Sequence, residues 1–153
     1  MKTSRASSLD LNMGQVPVLP QAAALCYRLT RGRPEVLLIT SRKAQRWIIP
    51  KGWLIDGLSA SETAAQEAWE EAGVIGTPKD TCIGLFSYTK VISAKKARPC
   101  VALVYPVKVK ELADRYPEKR ERKRAWFSPK KAAKRVAEPE LARILRDFDP
   151  KKV

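Results

Sequence analysis

An α/β or α+β fold is predicted by three features of this chain. One central helix is strongly marked, β-rich runs stand on both sides of it, and a further amphipathic helix lies near the end. The central helix is written over residues 59–73. Ser59 followed three residues later by Glu62 is a capping-box pattern, in which side chains satisfy the first helical amides. Ala-rich, good helix-forming sequence then runs to Ala72, and Gly73 stands where a left-handed cap closes the helix. At ~100° of rotation per residue, Ala64, Ala65, Ala68 and Ala72 share one face, small enough to lie close against a sheet.

The other elements follow in chain order. Residues 1–18 are expected to form a flexible arm, with Pro17 and Pro20 at its end, ahead of one domain over 19–150. A first strand is expected at 22–30, then a turn at Arg31, Gly32, Arg33 and Pro34. The run EVLLITS at 35–41 is a largely buried second strand. Arg42, Lys43 and Arg46 fill the next loop, and 47–49 is a short strand ending at Pro50. Beyond the helix, 81–90 and 99–110 form a hairpin whose loop carries Lys95, Lys96 and Arg98. Tyr88 and Lys90 stand at the strand end. The segment DRYPEKRERKR alternates in sign and is expected to be mostly solvated surface. A short strand follows at 125–127. Ser128 then caps a helix with Pro129 at its first position, and Glu138-Pro139 opens the last helix. Its stripe of Leu141, Ile144, Leu145 and Phe148 is core packing.

With 153 residues the chain is long enough to bury a real core. It has no run of about 18 apolar residues, and its start has no apolar signal core, so a cytoplasmic protein with no membrane association is expected. Cys26, Cys82 and Cys100 are odd in number and lack metal-ligand spacing, and core thiols are the expectation. The absence of histidine excludes imidazole as base, nucleophile partner or metal ligand. The formal net charge of +14 points to an anionic partner: nucleic acid, polyphosphate or an anionic surface.

Three carboxylates carry the chemistry. Glu67, Glu70 and Glu71 are spaced i, i+3, i+4 and crowd one side of the central helix. Like charges at that spacing repel, and a cation held between them turns the repulsion into attraction. Oxygen-only ligands favour a hard ion such as Mg²⁺ or Mn²⁺. An ordinary solvated acidic helix is the bland alternative for these three residues alone.

The flanks favour the first reading. The stretch IPKGWLIDGLSASETAAQEAWEEAGVIG resembles the Nudix box, with Gly52, Glu67, Glu70, Glu71, Gly73 and Val74 at matching positions. Pro50-Lys51-Gly52-Trp53 and the later RKRAWF are similar to the branch that hydrolyses dinucleoside polyphosphates and diphosphoinositol polyphosphates. Three positions depart from the pattern: Leu58 replaces its first Glu, Gln66 its Arg, and Ala68 an aliphatic residue. Gln66 lies one turn before Glu70 and can still donate a hydrogen bond to it, without supplying charge. A lost Glu and a lost Arg leave no orphaned charge if they were partners, so the change reads as altered support for the metal site.

The resemblance covers roughly residues 20–148 and implies an α/β/α sandwich around a mixed sheet. It also implies a metal-dependent hydrolase that splits a phosphoanhydride bond by attack of water on phosphorus. Glu67, Glu70 and Glu71 would hold Mg²⁺ or Mn²⁺ with the Gly52 carbonyl. Glu70, or else Glu67, would take the proton from water. Arg42, Arg46, Lys51, Lys95, Lys96 and Arg98 would meet the substrate's phosphates, and Glu118 or Glu121 would add a further carboxylate. Dinucleoside polyphosphates lead the implied substrates, with diphosphoinositol polyphosphates and inorganic polyphosphate close behind. The alternatives are a pyrophosphohydrolase of RNA 5′ ends, and a domain that binds polyphosphate or RNA without turnover.

Overall fold

Strand β2 (Val16–Thr30) is the one that most other elements meet. On one side it runs parallel to β8 (Lys96–Leu112), with Leu19 opposite Cys100 through to Tyr27 opposite Lys108. On the other side it pairs antiparallel with three shorter strands. These are β1 (Leu11–Met13) at its start, β5 (Lys51–Trp53) in the middle and β3 (Arg33–Thr40) at its end. Strand β3 also holds β4 (Trp47–Ile48) and β9 (Arg124–Phe127). Along its far edge β8 carries β7 (Gly84–Ser93) and β6 (Val74–Pro78). One parallel pair among antiparallel ones makes the sheet mixed. This computed structural model describes residues 11–13 and 16–153, with side chains from residue 18 onward.

The two faces of β2 build two cores, because side chains alternate along a strand. Ala23, Leu25 and Tyr27 join Val36, Leu38, Phe86 and Val104 beneath α2 (Pro129–Arg135) and α3 (Pro139–Arg146), with Leu141, Leu145 and Phe148 closing that layer. Ala22, Ala24 and Cys26 face the opposite way, toward Ala64, Ala68 and Ala72 of α1 (Ala60–Ala72). Alanine against alanine lets α1 lie low on the sheet, and that brings its carboxylates near the β5 backbone. The result is the expected α/β/α sandwich around a mixed sheet. No described helix is long and apolar enough to cross a membrane.

Helix α1 is capped as its sequence predicts. The Ser59 Oγ accepts from the Glu62 amide at 3.1 Å, and the Ser59 amide donates to Glu62 Oε1 at 2.8 Å. Gly73 closes the helix at φ +69°, a left-handed conformation that costs glycine nothing. Ala65 is only half-buried, at the margin of the alanine stripe.

Several boundaries differ from the sequence expectation. Of the arm expected over 1–18, residues 1–10 and 14–15 lie outside the described ones, while Leu11–Met13 pairs with the start of β2. Strand β2 begins six residues before the expected 22, since Val16 is its first residue. Strand pairing therefore reaches into that segment, and Pro20 lies within β2 opposite Val101. The basic loop expected over 93–99 is shorter: β7 runs to Ser93 and β8 starts at Lys96. Strands β5 and β6 are not predicted by the sequence patterns. Cys26 and Cys100 are buried thiols as expected, whereas Cys82 is exposed in the connection before β7.

Candidate active site

Strand β5 and helix α1 meet at Gly52 and Glu67. The Glu67 carboxylate is fully buried. A Cβ at position 52 would lie 2.5 and 2.6 Å from its two oxygens, so only glycine leaves that carboxylate in place. Gly52→Ala is accordingly expected to displace Glu67 and destabilise the protein by ~1–3 kcal/mol. A thermal melt beside a turnover assay checks both, and an unchanged variant would show that the close approach has no consequence.

Glu71, one turn after Glu67, is 5 % exposed and lines a cleft of about 280 Å³. Burial, then a hydrogen bond and charge repulsion from Glu67, push its carboxyl up to about 8 against the pull of Arg122. The Lys51 amide donates to Glu71 Oε1 at 3.4 Å. Two adjacent buried acidic groups, one of them retaining its proton near neutrality, form a donor set suited to a hard cation. Among the described residues, no three acidic or thiol groups converge closely enough to define a metal centre unaided. The carboxylate pair and the backbone of Gly52 are what a cation would meet.

Glu70 occupies a different side of the same turn. It is half-buried, its Oε2 accepts from Gln66 Nε2 at 2.9 Å, and its carbonyl accepts from the Glu118 amide at 2.9 Å. The hydrogen bond expected of Gln66 is thus present, although Glu70 does not line the cleft. Leu58, at the other altered position, is an exposed turn residue whose amide donates to the Ile55 carbonyl. Gln66→Arg should strengthen the hold on Glu70. The expected result is a higher turnover or a lower divalent-ion requirement, read from a Mg²⁺ titration of rate.

Arg46, Lys51, Tyr88, Lys90 and Glu138 share the cleft with Glu71. Lys51 Nζ sits 4.7 Å from the centre of the Tyr88 ring, and Lys90 Nζ 4.8 Å from that of Trp53. The Tyr88 hydroxyl donates to Gln21 Oε1, which fixes the ring under Lys51. Burial pulls the Lys51 ammonium below its ordinary range, while Glu71 and Glu138 oppose that shift. Arg98 lies across the hairpin from Lys90, with its Nε buried and without a hydrogen-bond partner. Lys95 and Lys96 are exposed at the hairpin tip, outside the cleft lining.

Of the remaining sequence candidates, Arg42 and Glu121 lie apart from the cleft lining, whereas Glu118 stands near Glu71 and helps raise its carboxyl. Glu121 pairs with Arg42 at 3.4 Å on the surface, so neither lines the cleft. Glu118 accepts from Arg122 Nε at 2.9 Å. Sequence reading assigns Arg122 no role. Its side chain is only 9 % exposed, its Nη1 donates to the Thr40 carbonyl at 3.2 Å, and its Nη2 stands 3.9 Å from Glu71. It is the buried counter-charge that ties the acidic pair to the β8–β9 segment. Glu138, which caps α3 without a side-chain cap hydrogen bond, is the other cleft residue that sequence reading misses.

A three-layer sandwich thus holds a cleft in which one buried carboxylate faces several cations. The chain belongs to the Nudix family: the NUDIX domain model matches residues 19–148. It is 33 % identical over 116 residues to human diphosphoinositol polyphosphate phosphohydrolase 3-beta, covering 74 % of this chain and 66 % of that protein. It is 28 % identical over 117 residues to the mitochondrial Nudix hydrolase 12 of Arabidopsis thaliana, covering 74 % and 58 %. The chain thus spans less than two-thirds of the length of these curated relatives. A Caenorhabditis elegans Ap4A hydrolase crystallised as a binary complex shares the fold, with a TM-score of 0.62 and 22 % identity over 84 % of this chain and 93 % of that one.

Proposed function

We propose that this chain hydrolyses a phosphoanhydride bond in a nucleoside-diphosphate-linked or polyphosphate compound. Dinucleoside polyphosphates and diphosphoinositol polyphosphates come first among its substrates. One observation carries the reading: the cleft sets Glu71, which is hydrogen-bonded to the buried Glu67 behind it, beside Arg46, Lys51 and Lys90. The chain's relatives, a diphosphoinositol polyphosphate phosphohydrolase and an Ap4A hydrolase, support the substrate class.

Glu67 and Glu71, with the Gly52 backbone, would hold the divalent ion. When bound, Mg²⁺ or Mn²⁺ supplies neutralisation of phosphate oxygens and activation of water. The water's proton would go to Glu70, which Gln66 holds, or else to Glu67, which stands against Gly52 and Glu71. Lys51, fixed over Tyr88, and Arg46 present positive charge to the phosphates, while Lys90 and Arg98 extend that charge toward the hairpin.

A substrate panel in Mg²⁺ or Mn²⁺, read by product chromatography, tests the proposal. Divalent-dependent cleavage of at least one dinucleoside or diphosphoinositol polyphosphate is expected. Binding without cleavage of any member would overturn it in favour of a non-catalytic domain.

A further inference from the structure

The charged segment between β8 and β9 is mostly exposed, as its alternating signs predict, and its backbone is nevertheless held in place. The Ala113 amide donates to the Gly73 carbonyl at 2.8 Å and the Glu118 amide to that of Glu70 at 2.9 Å. Within the segment, the Lys119 amide donates to the Tyr116 carbonyl at 3.3 Å and the Glu121 amide to that of Glu118 at 3.0 Å. The Tyr116 ring packs under the Arg124 guanidinium at 4.8 Å and lies so close to Gly73 that a Cβ there would strike it. The backbone is therefore pinned to the C-terminal end of α1.

This fixed segment encloses a groove of about 600 Å³ lined by Arg115, Tyr116, Pro117, Lys119, Arg120 and Glu121. Arg115, Lys119 and Arg120 are exposed, and among the described residues none of the three has an ion-pair partner. The single carboxylate in the groove, Glu121, is already paired with Arg42. An anion in the groove would meet three exposed cations that no ion pair occupies among the described residues.

We propose that this groove is a second binding site, separate from the catalytic cleft, for a linear chain of phosphates. Such a chain occurs in inorganic polyphosphate and in the backbone of a single-stranded nucleic acid. Tyr116 already has Arg124 and Gly73 against it, and no other aromatic lines the groove, so recognition is by phosphate charge and not by base stacking. The groove also adjoins the cleft. Arg42 touches Glu121, while its neighbour Ser41 lines the cleft with Arg46. A long chain can therefore lie across both sites, whereas a short one fills the cleft alone.

The test is a fluorescence-anisotropy titration of the full chain with its triple variant Arg115→Gln, Lys119→Gln, Arg120→Gln. The probes are labelled inorganic polyphosphate and labelled single-stranded RNA, each in a short and a long form. Binding is read directly, so the result does not depend on the protein's being a hydrolase. The variant is expected to bind the long forms at least tenfold more weakly near physiological salt. The slope of log affinity against log salt should fall by about 2 for RNA, from three lost contacts. Short forms should bind equally to both proteins. Weakening with both long probes identifies the shared phosphate chain, and weakening with one alone identifies that source. Unchanged long-chain binding would overturn the proposal. Equal losses for short and long forms would overturn it too, because they would mean general electrostatic attraction.

Discussion

Glu71→Gln is expected to abolish turnover while making the metal-free protein more stable. Glu71 is nearly buried against a second carboxylate, and its carboxyl is pushed up from 4.5 to about 8, by burial first and then by Glu67. The sign follows from proton counting. Between those two values the unfolded chain has released a proton that the folded chain still holds, so stability falls as pH rises through the window. A glutamine amide cannot titrate there, and the variant loses that slope. Its melting temperature should therefore exceed the parent's by a margin that grows from pH 5 to pH 8, at roughly 2–4 °C per kcal/mol for a domain of this size. Turnover should fall by a factor of ~10² or more. Melting curves at three pH values in a chelating buffer measure the first effect. Parallel pH profiles for the two proteins would show that Glu71 carries no raised carboxyl.

Arg122→Ala should be among the most damaging single changes in the chain. The guanidinium is nearly enclosed, bonded to Glu118 at 2.9 Å and to the Thr40 carbonyl at 3.2 Å, with Glu71 at 3.9 Å. Removing it leaves the Glu118 carboxylate without its counter-charge and the Thr40 carbonyl without its donor, and breaking a buried pair from one side costs ~3–5 kcal/mol. Arg122→Lys keeps the charge but cannot span three acceptors at once, so it should fall between parent and alanine variant. Urea denaturation measures both. A cost below ~1 kcal/mol for the alanine variant would show that this cluster is no stronger than an exposed ion pair.

The helix at the centre of the site is legible in the sequence because its signals are local. Ser59, Glu62 and Gly73 each act within one turn of themselves, and the caps form as the sequence predicts. The carboxylate spacing is legible for the same reason. Strand β6, VIGTP, is not, because a five-residue run containing Gly and Pro carries no period of its own. It becomes a strand because residues 107–112 of β8 offer it a partner. Arg122 is hidden for a related reason. In an alternating charged run every residue reads as solvated, and only the fold decides which guanidinium turns inward. The phrase RKRAWF is the available signal, since its first residue is Arg122. Of the carboxylates that the same neighbourhood suggests for the site, Glu121 is paired with Arg42 on the surface, Glu118 shares Arg122 with Glu71, and Glu138 from the α2–α3 connection lines the cleft as well.

The central claim is that Glu67 and Glu71 form a cation site in which Glu71 gives up its proton on loading. Isothermal titration of Mn²⁺ into the metal-free protein at pH 7, repeated in buffers of different ionisation enthalpy, counts the protons released. A carboxyl raised to about 8 is mostly protonated at that pH, so release of close to one proton per bound ion is expected. The Glu71→Gln protein should release fewer protons and bind far more weakly. Tight binding with no proton release in the parent, or equal binding by the variant, would contradict the account and place the ion elsewhere.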